Sequence, residues 1–77
     1  MMVTESIELN PRVCGGKPVI KGTRIPVSVI LDQLAAGESH ESLLEGYPEM
    51  READIGAVLL YAKASIENST EVIRAVA

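Results

Sequence analysis

A mainly α-helical fold is predicted here: short N-terminal β-strands, then a three-helix, helix-turn-helix-like core with a long C-terminal helix. Three observations carry the expectation. Three of the six glycines and three of the four prolines fall within residues 11–26, which fixes an irregular or extended backbone there. From Val27 the apolar residues change to helical spacing. From Ile55 onward they keep a seven-residue rhythm.

The elements follow in order. Ile7-Glu8-Leu9 alternates and is stopped by the turn signal Asn10-Pro11, so it reads as a short strand. Val13-Cys14 runs into a second turn at Gly15-Gly16. Pro18-Val19-Ile20 and Thr23-Arg24-Ile25 flank Lys21-Gly22, as a small hairpin or two extended arms. Pro18 and Pro26 lack a ladder donor, so these segments lie at an edge or are very short. Such an arm is marginal alone and must pack on the helices or on another subunit.

Val27, Ile30, Leu31 and Leu34 mark one face of a first helix, and Gly37 supplies its stop. Ser39 is a suitable N-cap for a second helix, with Glu41 well placed in its first turn. Leu43, Leu44 and Tyr47 form the apolar face of this helix, and Pro48 ends it. A third helix starts near Arg51 and carries the seam Ile55, Leu59, Ala62, Ile66 and Ile73, with Ser69 in the missing slot. Either it runs on toward the C-terminus or Asn68-Ser69-Thr70 breaks it. Such a seam calls for a partner helix in a homodimer, or else packs on the first two helices. Three helices joined by tight turns match a helix-turn-helix core. The 77 residues read as one domain, a β arm over 1–26 and a helical core over 27–77.

Composition narrows the function. With 47% hydrophobic residues and no Trp or Phe, the core is built from aliphatic side chains. A chain of this size needs a staple, yet one cysteine (Cys14) and one histidine (His40) allow neither a disulfide nor a zinc set. Oligomerisation is the remaining route. No apolar run approaches the ~20 residues of a membrane helix. The first residues lack the basic and apolar regions of a secretory signal. With the free cysteine, this points to the cytoplasm and away from a membrane.

The net charge of −4 hides a split. Residues 1–30 carry Arg12, Lys17, Lys21 and Arg24 against Glu5 and Glu8, a net of +2. Residues 31–77 carry nine acids against Arg51, Lys63 and Arg74, a net of −6. An acidic chain is ill suited to non-specific DNA binding, which needs phosphate neutralised. It suits a basic protein partner.

Candidate sites are few. Gly15-Gly16-Lys17 lacks the glycine spacing and the following Ser or Thr of a phosphate loop, so no nucleotide cofactor is expected. Cys14 and His40 are the sole Cys–His pair and lie in different elements, so no catalytic residues are assigned. In a helix-turn-helix the second helix reads bases, and here only His40 and Ser42 are useful donors among carboxylates. Lys17, Lys21 and Arg24 are the better phosphate contacts, or simply the solvated rim of a hairpin. Arg24 is also placed to pair with a helix carboxylate such as Asp54 and lock the arm onto the core.

The run Asn10-Pro11, Gly15-Gly16-Lys17-Pro18-Val19-Ile20-Lys21-Gly22-Thr23-Arg24-Ile25-Pro26-Val27, then Leu34-Ala35-Ala36-Gly37-Glu38-Ser39, Tyr47-Pro48, Asp54-Ile55 and Tyr61-Ala62 resembles domain of unknown function 433, over about residues 7–64. The resemblance implies a homeodomain-like helix-turn-helix fold and no catalytic residues. It also implies an antitoxin-like protein encoded beside a PIN-like toxin; a helix-turn-helix dimer of this kind is expected to bind its own promoter DNA. The chain departs from the family at Arg51, where members commonly place Thr or Ser. A cation there forfeits a cap worth about 1 kcal/mol, with Asp54 placed to offset it.

Overall fold

The computed structural model describes residues 6–68. The order of elements is β1 (Ile7–Glu8), a 3₁₀ turn (Cys14–Gly16), β2 (Val19–Ile20), α1 (Val27–Ala35), α2 (His40–Gly46) and α3 (Glu52–Glu67). Three helices and a short antiparallel strand pair match the fold class read from the sequence.

The arm is built from three extended segments. β1 and β2 pair antiparallel with Ile7 opposite Ile20 and Glu8 opposite Val19. On its other side this segment meets 25–27: the Ile20 amide donates to the Ile25 carbonyl at 2.9 Å, and the Val27 amide to the Pro18 carbonyl at 2.9 Å. The tight reversal at Lys21-Gly22 therefore forms as expected, and β1 adds a second partner from ten residues upstream. Thr23 closes the reversal. Its Oγ1 donates to the Ile20 carbonyl (2.7 Å) and accepts from the Ile25 amide (3.0 Å). Thr23→Val keeps the shape and removes both bonds. We expect it to cost about 1–2 kcal/mol in chemical denaturation, whereas Thr23→Ser should stay close to the parent.

Upstream, Cys14, Gly15 and Gly16 all have positive φ, at 51°, 67° and 88°. Three successive left-handed residues reverse the chain from β1 toward β2, and two glycines hold most of that strain. The Cys14 thiol lies 3.5 Å from the Arg24 carbonyl and ties this turn to the reversal beside it.

The helix ends obey local rules. Gly37 adopts φ 93°, its amide donates to the Leu34 carbonyl (3.0 Å), and the Glu38 amide donates to the Gln33 carbonyl (3.0 Å). This is a Schellman closure of α1. Ser39 Oγ accepts from the Ser42 amide at 3.0 Å and caps α2. α3 starts at the expected place by another device. The Arg51 amide donates to Asp54 Oδ2 at 2.9 Å, and the Arg51 guanidinium lies 3.4 Å from Asp54 Oδ1. The buried carboxylate at the third helical position thus supplies the reciprocal half of a capping box, accepting from the N-cap amide, while the Asp54 amide donates to the Arg51 carbonyl at 2.9 Å.

The pair expected between Arg24 and Asp54 does not form. Asp54 is engaged by Arg51, while Arg24 is exposed on the arm. A partner three residues away needs no loop closure, so the local arrangement prevails over the distant one.

Ile7, Ile20 and Ile25 of the arm, Val27 and Ile30 of α1, Leu43 of α2, Met50 of the following turn, and Ile55 and Val58 of α3 form one buried cluster. Leu31, Leu34, Leu44, Tyr47, Ala57 and Tyr61 pack on its edge. α3 lies against α1, α2 and β1, so it is the element on which the rest is assembled.

Candidate interaction surfaces

Folding keeps the charge asymmetry of the sequence. Lys17, Lys21 and Arg24 are all exposed on the arm, Lys21 and Arg24 within one reversal and Lys17 before β2. Glu38, Glu41, Glu45, Glu49 and Glu52 are exposed on α2 and its flanks. The two donors singled out on α2 already serve these acids. His40 Nδ1 is 2.7 Å from Glu52 Oε2, and Ser42 Oγ donates to Glu38 Oε1 at 2.6 Å. The surface a helix-turn-helix would offer to bases is thus an acidic one with its donors engaged, and it repels phosphate.

The seam divides on folding. Ile55 is spent on the core. Leu59 is 46% exposed, Ile66 56% exposed, and Ala62 is half-buried. Ile73 lies outside the described residues. Val58, which the seven-residue rhythm passed over, is fully buried in place of Leu59.

Alongside this stripe runs a groove of about 530 Å³. α3 forms one wall with Tyr61, Ala62, Ser65 and Ile66, and α1 the other with Val27, Ser28 and Leu31. Lys17 and Pro18 of the arm close one side. Sequence periodicity shows Leu31, Ala62 and Ile66 on their helices, but the groove itself depends on how α1, α3 and the arm pack together. Its lining residues with polar side chains are Lys17, Ser28, Tyr61 and Ser65, and the rest are apolar, so it suits apolar side chains. Among the described residues no cluster of three or more metal-ligating side chains occurs, and no helix is long and apolar enough to cross a membrane.

The described residues form a three-helix domain with a short antiparallel strand pair, and they present acidic and apolar surfaces. The chain belongs to the family described as protein of unknown function (DUF433), whose model matches residues 7–62. It is 38% identical over 61 residues to the uncharacterised protein y4eO of Sinorhizobium fredii, a match over 79% of this chain and 28% of that protein. The crystal structure of a DUF433 member from Anabaena variabilis superposes with a TM-score of 0.75 at 34% identity. That match covers 80% of this chain and 61% of the other. This chain therefore spans under a third of the curated relative and about three fifths of the solved one.

Proposed function

We propose that this protein is an antitoxin-like binding protein that neutralises a PIN-like nuclease toxin and autoregulates its promoter. The observation that carries the reading is the exposed glutamate surface of α2 and its flanks, set apart from a basic arm. A nuclease must attract phosphates and so presents a basic face. A rigid array of carboxylates competes for that face and accelerates encounter through complementary charge. The family resemblance points the same way, toward a binding partner and away from catalysis.

The test is retention of a partner by tagged protein in native lysate, with and without nuclease treatment, followed by growth rescue with the partner identified. We expect one small basic protein in both samples. Glu45→Lys combined with Glu49→Lys should weaken its retention at least tenfold while leaving the fold intact, since both side chains are exposed. Retention of the bait alone, or equal retention by the charge-reversed variant, would overturn the reading.

A second reading, a stand-alone DNA-binding regulator, is favoured by one feature: Lys21 and Arg24 project from the same exposed reversal. It predicts promoter affinity that falls steeply with salt, and a slope shallower by about 1 for Arg24→Ala. A third, a structural oligomerisation module, predicts self-association with neither toxin nor DNA.

A further inference from the structure

α3 carries more apolar surface than the core consumes. At about 100° per residue, Ile55, Leu59, Ala62 and Ile66 share one narrow stripe. The stripe enters the core at Ile55 and leaves it by Ile66, where it becomes a wall of the groove between α1 and α3. We infer that this stripe and groove receive a second copy of the same chain, the two α3 helices running antiparallel and crossing at Ala62.

Three features select a second copy. The first is self-complementarity. Ala62 has Leu59 three residues before it and Ile66 four residues after it. Reversing the direction about Ala62 sets each Leu59 against Ile66 of the partner subunit, so an identical surface supplies every contact, as a two-fold interface requires. The small side chain at the crossing lets the helix axes approach to about 8 Å.

The second feature is charge. In a chain of net charge −4, most faces repel a copy of themselves. The groove is lined by no carboxylate. The nearest charges along α3, Lys63 and Glu67, neutralise one another at 2.9 Å. This is the face on which two acidic molecules meet without opposing their acids, whereas the glutamates of α2 keep that surface apart.

The third is size. A 77-residue chain without disulfide or zinc set has little core to spare, and covering Leu59 and Ile66 adds apolar burial that the monomer lacks. Self-association of this kind needs neither toxin nor DNA.

The test uses the full chain. Sedimentation equilibrium across about 1–100 μM should show a dimer. Ile66→Glu should raise its dissociation constant at least a hundredfold with the far-ultraviolet spectrum unchanged, since this side chain is over half exposed in the monomer. In a Cys14→Ser background, Ala62→Cys should form an intermolecular disulfide on mild oxidation, because the crossing brings the two α-carbons within bonding reach. Leu60→Cys, 62% exposed on another face of α3, should not. A monomer at every concentration, a dimer that Ile66→Glu leaves intact, or cross-linking at Leu60 in preference to Ala62 would each overturn the arrangement.

Discussion

Ile20→Ala is expected to unfold the helices, although Ile20 belongs to none of them. This side chain is 1% exposed, lies opposite Ile7 in the strand pair, and joins the cluster that includes Ile30, Leu43 and Ile55. Deleting its outer carbons loses their transfer energy and leaves a cavity, together about 2–4 kcal/mol. For a domain of this length each kcal/mol moves the midpoint by about 4–8 °C, so the melting temperature should drop by about 8–30 °C. The probe is the helical signal at 222 nm. An arm merely attached to an independent helical core would leave that signal's transition in place. Shared burial requires the whole molecule to melt earlier and in one step. Leu60→Ala is the control, with an expected change under about 0.5 kcal/mol because its side chain is largely in water.

The contrast between Ile20 and Leu60 shows where the sequence was legible. Local signals are legible: the spacing of Val27, Ile30, Leu31 and Leu34 on α1, the stop at Gly37 and the cap at Ser39. Each depends on atoms a few residues apart, so local spacing suffices. The reversal at Lys21-Gly22 was legible for the same reason. β1 joining β2 from ten residues upstream was not, since two-residue strands leave no periodicity to follow. On α3 the seven-residue rhythm placed Leu59 where Val58 is buried. A short straight helix turns by 3.6 residues, and its own core selects Ile55 and Val58 before any partner acts.

The interaction surfaces were legible in charge but not in contacts. Lys17, Lys21 and Arg24 are exposed as cationic arm residues. His40 and Ser42 are surface donors, but the fold brings Glu52 and Glu38 within hydrogen-bond distance of them. The His40–Glu52 contact spans twelve residues and arises only when α2 packs beside the start of α3. The groove likewise exists only where residues of α1, α3 and the arm come together in the tertiary fold.

Asp54→Ala is expected to be the most damaging change at any charged position among the described residues. Among the described residues Asp54 is the buried charged one, 4% exposed. Its carboxylate takes the Arg51 amide at the start of α3 and meets the Arg51 guanidinium at 3.4 Å. The guanidinium contact contributes little, because that side chain is 76% exposed and solvent screens the pair. The amide bond matters more. It satisfies a helix-start donor, and its acceptor carries the charge that the helix dipole favours at this end. Alanine removes the cap and leaves a small void beside Ile55, for a combined loss of about 2–3 kcal/mol. Asp54→Asn separates the contributions. Its amide oxygen keeps an acceptor for the Arg51 amide but gives up the charge, so it should recover about half of the loss. Arg51→Ser, which supplies a hydroxyl cap in place of the cation, should stabilise the parent by up to about 1 kcal/mol. It should also reduce the cost of Asp54→Ala when the two are combined, because a second acceptor then serves the same helix start. Denaturation of the three single variants and the double mutant measures this coupling directly. A cost that is unchanged in the Arg51→Ser background would mean that Asp54 acts through packing and not as the cap.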